Sequence, residues 1–192
     1  MQLNSLSLRD FRNYRESRAD FVPGVNLLVG GNANGKTNLL EAIYYLSTGH
    51  SFRTRREQEL IRFGAEFAEL SAGVFAQERE QTLRAVLFSG RRPRRLWLNG
   101  VKQRAVAEFA GVLHTVLFCP EDLLVLKKGA APRRKLLDAM ICQLRPNYEA
   151  ALTEYQRLLE QKSALLRAQY ETPGLLDVLP EYNARMAQVG AL

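Results

Sequence analysis

Cysteine and histidine are scarce in this chain, and the scarcity narrows its chemistry. Only Cys119 and Cys142 occur among 192 residues, and they form no Cys-x-x-Cys pair. Nothing suggests a secreted disulfide framework. What remains is two buried thiols in a reduced, cytoplasmic protein. With His50 and His114 the only histidines, no zinc-ligand spacing exists. No stretch reaches the roughly 20 apolar residues that cross a bilayer, so no membrane partner is expected. The first eight residues alternate apolar and polar and lack a basic start, which excludes a signal peptide.

Positive charge is in excess. Lys and Arg number 27 against 20 Asp and Glu, a net charge of +7. Such a balance favours a polyanionic partner. The charge is clustered: Arg53, Arg55 and Arg56; then Arg91, Arg92, Arg94 and Arg95; then Lys127, Lys128, Arg133, Arg134 and Lys135. The second cluster surrounds Pro93 in an expected exposed loop. It reads either as a solvated turn or as a row of phosphate contacts with salt-dependent, sequence-independent affinity. No aromatic row interleaves it, so stacking on single strands is not indicated and a duplex backbone fits better. Arg133 and Arg134 fit a lobe interface as well, and no DNA contact is assigned to them.

The most specific motif is Gly30-Gly31-Asn32-Ala33-Asn34-Gly35-Lys36-Thr37, which fits G-x-x-x-x-G-K-[ST]. Glycines let backbone N–H groups converge on phosphates, Lys36 reaches the β/γ-phosphates, and the Thr37 hydroxyl ligates Mg²⁺. The apolar run at 25–29 reads as a buried strand before the loop. Residues 38–46 read as a helix after it, with Leu39, Ile43 and Leu46 (or Leu40, Ile43 and Leu46) on one face. That order points a helix N-terminus at the anion.

Along the chain, alternation at 3–8 and the run at 19–22 predict two antiparallel strands. Residues 48–57 are polar, basic and expected to be mobile. Further strands are expected at 68–76, 82–89 and 96–98. Asn99-Gly100 predicts a type I′ turn joining 96–98 to 101–103. Residues 106–113 read as a short helix and 115–119 as a buried strand. From Pro132 the pattern is helical. Residues 148–169 form one helix, with Leu152, Tyr155, Leu159 and Leu166 on a face. Thr172-Pro173-Gly174 breaks it, and 175–192 resume. That face fits packing in a helical lobe or a projecting coiled-coil arm. The chain stops inside this last helix and reads as truncated.

Other landmarks select among P-loop proteins. No N-K-x-D guanine signal is present, and an antiparallel pair precedes the P-loop, which suits ABC-type heads. Leu8-Arg9-Asp10-Phe11-Arg12-Asn13-Tyr14 resembles the first hairpin of structural-maintenance-of-chromosomes heads. Three further blocks narrow the resemblance. They are Gly35 to Ile43; Gly49-His50-Ser51-Phe52-Arg53 with Glu59 to Gly64; and Phe118-Cys119-Pro120-Glu121-Asp122-Leu123 with Lys128-Gly129 and Pro132-Arg133-Arg134. Together they resemble the RecF family of bacterial DNA replication and repair ATPases, in order and over nearly the whole chain.

The resemblance implies an α/β fold: an ABC-type P-loop ATPase head with an antiparallel β layer, followed by a mainly helical lobe. Residues 1–118 would form the N-terminal lobe and 119–192 the start of the helical one. The family implies ATP and Mg²⁺ as cofactors, held by Gly30, Gly31, Asn32, Ala33, Asn34, Gly35, Lys36, Thr37 and Asn38. Arg12 would reach the nucleotide from the first hairpin, and 118–123 would lie in the Q-loop region. It also implies an ATP-driven homodimer on double-stranded and gapped DNA, working with RecO and RecR to direct RecA onto gaps. Arg91, Arg92, Arg94 and Arg95 are the DNA candidates.

A signature motif and a Walker B Asp-Glu are missing. Phe88-Ser89-Gly90-Arg91 reads as a hairpin turn. In 116–122, Cys119-Pro120 interrupts the strand before the acids, and a proline removes a ladder donor. The catalytic carboxylate is therefore expected outside this chain. By itself the chain is expected to bind nucleotide weakly and to stay monomeric. Two other readings are a standalone P-loop hydrolase or kinase, and a basic DNA-binding module with a vestigial P-loop.

Overall fold

A computed structural model describes residues 1–104, 106–119, 129–168 and 173–191. Backbone contacts divide the chain into two units, Met1–Gly129 and Ala130–Leu192.

The first unit is built on a sheet of six strands. In chain order these are β1 (Gln2–Phe11), β2 (Tyr14–Asp20), β3 (Phe67–Ala76), β4 (Arg79–Phe88), β5 (Arg95–Leu98) and β6 (Val101–Gln103). Their spatial order is β2-β1-β3-β4-β5-β6, and every pairing is antiparallel. Asn99 and Gly100 close the β5–β6 hairpin with φ of 52° and 79°, the type I′ geometry their sequence predicts. Gln77 and Glu78 close β3–β4 the same way, at φ 53° and 61°, without a glycine to announce it. β2 starts earlier than the apolar run at 19–22 suggests, directly after the Arg12-Asn13 tip, where Phe11 pairs with Tyr14. Its charged residues, Arg15, Glu16 and Arg18, mask it in sequence and suit an edge strand.

One face of the sheet is apolar because alternate residues share a face. Leu6, Leu8, Leu70, Val74, Leu83 and Leu87 are buried there, with small Ala68, Ala72, Ala76 and Ala85 among them. Helix α1 (Lys36–Thr48) packs into the same core through Leu39, Ala42, Tyr45 and Leu46, while Ile43 is half-buried against it. The expected helix at 106–113 is a shorter α2 (Val106–Phe109), followed by Gly111 at φ 87°.

Two expected buried strands are absent. Residues 25–29 form no strand, and Val25, Leu27 and Val29 are 91%, 82% and 82% exposed. Residues 115–119 likewise form no strand, with Val116 and Phe118 exposed. An apolar run marks a strand only where a ladder partner exists, and among the described residues neither run has one. Cys119 and Cys142 are half-buried, not fully enclosed.

The second unit holds α3 (Ala130–Leu144), α4 (Pro146–Ala168), a 3₁₀ turn at Pro173–Val178 and α5 (Leu179–Gly190). Tyr155 lies against Gly190, and Lys162 bonds Asn183, so α4 and α5 run antiparallel. Their small core is Ala151, Leu158, Met186 and Val189, flanked by Tyr155 and Tyr182. The buried face of α4 thus runs through Ala151, Tyr155 and Leu158. Leu159 and Leu166, expected on it, are exposed. Ala151 belongs to that core although its small side chain does not mark it as apolar in the sequence.

The β1–β3 register shifts between Leu3 and Ser5, which turns Ser5 toward Gly73. A Cβ at position 73 would stand 2.8 Å from Ser5 Oγ. Gly73→Ala should therefore destabilise the fold by about 1–3 kcal/mol through overpacking. Ser5→Ala in the same chain should recover most of that loss in urea unfolding. A neutral single variant would show that the serine has room to turn away.

Candidate nucleotide-binding site

The P-loop joins the 25–29 run to α1. Gly35 caps α1 at φ 93° and ψ 0°, with no side-chain cap and no acid in the first turn. The first helical bond runs from Leu39 N–H to the Gly35 carbonyl at 2.9 Å. The N–H groups of Lys36, Thr37 and Asn38 therefore precede the helical ladder, at the positive end of the helix dipole. An uncapped N-terminus behind a glycine loop is a seat for an anion. Ala33 (φ 65°) curls the loop back. Lys36 Nζ donates to the carbonyls of Gly30 and Gly31 at 2.6 and 2.7 Å, which holds a positive charge within the curve. Asn34 lies over Gly30 and Gly31: a Cβ on either would meet its Nδ2 at 3.7 and 3.5 Å. Asn32 is exposed, and so is Thr37 in the first turn of α1.

The loop is not isolated. A Cβ at Gly35 would stand 2.7 Å from Asn13 Nδ2 and 2.9 Å from the Tyr14 hydroxyl, so the hairpin tip presses on the cradle. Asn38 Nδ2 donates to Asn13 Oδ1 at 2.8 Å, and Arg53 donates to Asn38 Oδ1 at 2.7 Å.

Beneath these contacts lies Glu41, fully buried on α1. Its Oε1 accepts from Arg12 at 2.7 Å and from the Ser51 hydroxyl at 2.5 Å. Its Oε2 accepts from Arg12 Nε at 2.9 Å and from Arg53 at 3.3 Å. A third Arg12 nitrogen donates to the Glu59 carbonyl at 2.7 Å. Arg12, expected to reach the nucleotide, thus directs its guanidinium at Glu41 and Glu59. The segment 48–57, expected to be mobile, is fastened through Ser51, Arg53 and Glu57.

The four arginines singled out for DNA divide into two kinds. Arg91 and Arg92 are exposed. Arg95 stacks on the Phe88 ring at 5.4 Å. Arg94 turns inward and donates to the Gly49 carbonyl at 2.6 Å, the Tyr45 hydroxyl at 3.2 Å, and the Glu57 carboxylate. Tyr45 also donates to Glu57, at 2.7 Å. Burial raises the Tyr45 pKa well above the usual phenol value. Desolvation and the nearby Arg94 charge lower that of His50.

Sequence reasoning missed Glu41, Asn13, Ser51 and Arg53. The available signal was the stripe Asn38, Glu41, Tyr45 on α1. These polar residues recur at helical spacing beside the buried face, where each needs a partner. Pro120, Glu121, Asp122 and Leu123, with Lys127, Lys128 and Thr172, lie outside the described residues.

A P-loop on an uncapped helix, an antiparallel sheet and a hairpin braced against the loop define the N-terminal part of an ABC-type ATPase head. The family model described as RecF/RecN/SMC N terminal domain matches residues 2–117, and the chain belongs to that family. Within it the relatives are RecF proteins. The DNA replication and repair protein RecF of Clostridioides difficile is 39% identical over 191 residues, covering 100% of this chain and 50% of that protein. The RecF of Halalkalibacterium halodurans is 38% identical, covering 97% and 51%. The solved structure of the recombination mediator protein RecF-ATPrS in the RecFOR pathway matches with a TM-score of 0.93 at 34% identity, over 99% of this chain and 51% of its own. The RecF-ATP structure matches with a TM-score of 0.83, also at 34% identity, over 97% and 52%. The chain spans about half the length of the curated relatives it matches.

Removing Glu41 would leave Arg12, only 17% exposed, without its counter-charge. Glu41→Ala should cost about 3–5 kcal/mol in chemical unfolding. Glu41→Ala with Arg12→Ala should cost less than the two single losses added. Additive losses would mean that the pair is not coupled.

Proposed function

We propose that this chain is the nucleotide-binding part of a RecF-type recombination and repair ATPase. The observation that carries the reading is the uncapped N-terminus of α1, with the Lys36 ammonium folded into the loop that precedes it. Backbone N–H groups of 33–38 and the Lys36 charge would hold the β/γ-phosphates of ATP. Asn13 and Tyr14 of the hairpin tip touch Gly35, and Arg12 beside them, its guanidinium held by Glu41 and the Glu59 carbonyl, would brace the cradle without contacting the phosphates. Mg²⁺, when bound, neutralises charge on the phosphates. Among the described residues no group of three His, Cys, Asp or Glu side chains could hold a metal. In this reading the exposed Thr37 hydroxyl would be a ligand of Mg²⁺, with phosphate and water oxygens among the others. In this reading the chain is the N-terminal lobe (1–118) and the start of a helical lobe (119–192). The acid that activates water lies beyond it.

Two relatives in structure are described as RecF with ATP or ATPrS in the RecFOR pathway, which supports ATP as the ligand. The RecFOR pathway in those descriptions supports RecO and RecR as partners; action on double-stranded and gapped DNA, with loading of RecA at gaps in the cytoplasm, belongs to the same proposal. Among the described residues no helix is long and apolar enough to cross a membrane.

In the intact protein, Lys36→Ala should weaken ATP binding about 10- to 100-fold, the loss of a charge-assisted phosphate bond. Equal affinity of wild type and variant for labelled ATP would leave the P-loop without a role. We further expect ATP to drive assembly. One P-loop neutralises one side of the triphosphate and leaves the outer γ-phosphate face for a second subunit. Light scattering of the intact protein should show a doubled mass with ATP and Mg²⁺, and a monomer for Lys36→Ala. A mass independent of nucleotide would remove that step.

A further inference from the structure

The Arg94 knot brings together two basic clusters that are about 35 residues apart in sequence. Arg94 belongs to the loop between β4 and β5, and it grips the carbonyl of Gly49, the Tyr45 hydroxyl and the Glu57 carboxylate. Glu57 opens the 3₁₀ turn Glu57–Leu60. Arg55 and Arg56 come immediately before Glu57, and Arg91 and Arg92 come just before Pro93-Arg94. All four are exposed, and among the described residues none has an ion-pair partner.

The remaining charges of this neighbourhood are accounted for. Arg53 is tied to Asn38 and Glu41, and Arg95 to the Phe88 ring. Glu57 is neutralised by Arg94 and accepts the Tyr45 hydroxyl. The acids left are Glu59 and Glu66. Both are exposed, and the Glu66 carbonyl takes the Ser89 N–H at 2.9 Å. Positive charge therefore stays in excess around the knot.

We propose that Arg55, Arg56, Arg91 and Arg92 form one composite surface for the sugar–phosphate backbone of duplex DNA, with Arg94 and Glu57 as the fastener that holds its two segments together. The proposal rests on the reading above that DNA is a partner, and it places the contact. Four unpaired guanidiniums on a rigid sheet-and-helix base can neutralise phosphates without reading sequence. Arg94 is a positioning residue in this arrangement. Its Nη1 is shared among three acceptors and its charge is matched by Glu57, so it adds less net charge toward a phosphate than its four exposed neighbours. The same segment that carries Arg55 and Arg56 reaches back through Arg53 and Ser51 to Asn38 and Glu41. The surface is thus joined by covalent chain to the helix that begins at the P-loop.

The experiment is duplex binding by the intact protein over a salt series, followed by fluorescence anisotropy of a labelled duplex. Melting by circular dichroism checks that each variant folds. Arg55→Ala with Arg56→Ala, and separately Arg91→Ala with Arg92→Ala, should each reduce the slope of log K against log salt by about 1.8, at about 0.9 per lost phosphate contact. All four changes together should reduce it by about twice that. Glu57→Gln separates fastener from contact. It removes a negative charge, which alone would tighten binding to a polyanion. The fastener predicts weaker binding instead, because Arg94 loses its anchor. A slope that falls only with Arg91 and Arg92, or tighter binding by Glu57→Gln, overturns the composite surface and leaves DNA binding in place. If the wild type binds no duplex at low salt, the DNA reading itself fails, and the surface with it.

Discussion

A buried carboxylate organises the first unit. Glu41 sits on α1 with no solvent contact, and a charge in that position is tolerated only when its oxygens are filled. Four donors fill them: two from Arg12, one from Ser51 and one from Arg53. These donors come from two separate stretches of chain, the first hairpin and the segment after α1. Satisfying one acid therefore fixes where the first hairpin ends, how α1 lies beside it, and how the chain returns after α1. Replacing the network with apolar side chains could match its stability. It could not place two arginines next to the helix that follows the P-loop.

The geometry at the hairpin tip is unusual for the same reason. Asp10 and Arg12 adopt φ of 48° and 52°, and Ala33 in the loop opposite has φ 65°. Each left-handed non-glycine residue costs about 1–2 kcal/mol. The surroundings hold them there. Arg12 N–H donates to the Leu60 carbonyl at 2.8 Å, and Arg62 N–H donates to the Asp10 carbonyl at 2.7 Å. The Arg62 guanidinium also binds the Asp10 carboxylate at 2.8 Å. Strain of this kind gathers where two elements must meet closely. Here the close meeting is Asn13 against Gly35, a position where any side chain on the loop would collide.

The hairpins and the P-loop were legible because they are local. Alternation gave β3 and β4, Asn99-Gly100 gave a turn, and eight consecutive residues gave the cradle. What failed depended on distant partners. The runs at 25–29 and 115–119 carry the composition of buried strands, but composition does not say which strand pairs with them. β2 was under-read because an edge strand carries charge. Glu41 looked like any polar residue of an amphipathic helix, and its role shows only once Arg12 is brought to it. Arg94 looked like its neighbours in a basic loop. Sequence does not tell an arginine that turns inward from one that faces water, since the choice is made by Glu57, more than thirty residues earlier.

The two basic regions of this unit are electrostatically different in kind. At the P-loop, Lys36 folds onto the Gly30 and Gly31 carbonyls beside the uncapped N–H groups of α1, and in the proposed reading a phosphate would lie in direct contact with both. Interactions at that range are weakly screened by salt. The arginines near the Arg94 knot stand in water on flexible stems. At physiological ionic strength their field falls off over about 8 Å, so they act on a polyanion mainly at contact and through counterion release. One region suits a small, multiply charged ligand bound with fixed geometry. The other suits an extended polymer bound without regard to sequence. α1 and the segment that doubles back along it belong to both, through Asn38 and Glu41 at one end and Tyr45 and Gly49 at the other. Under the two proposals, a shift of α1 on phosphate binding would reach Arg94 through its hydrogen bonds to Tyr45 and Gly49.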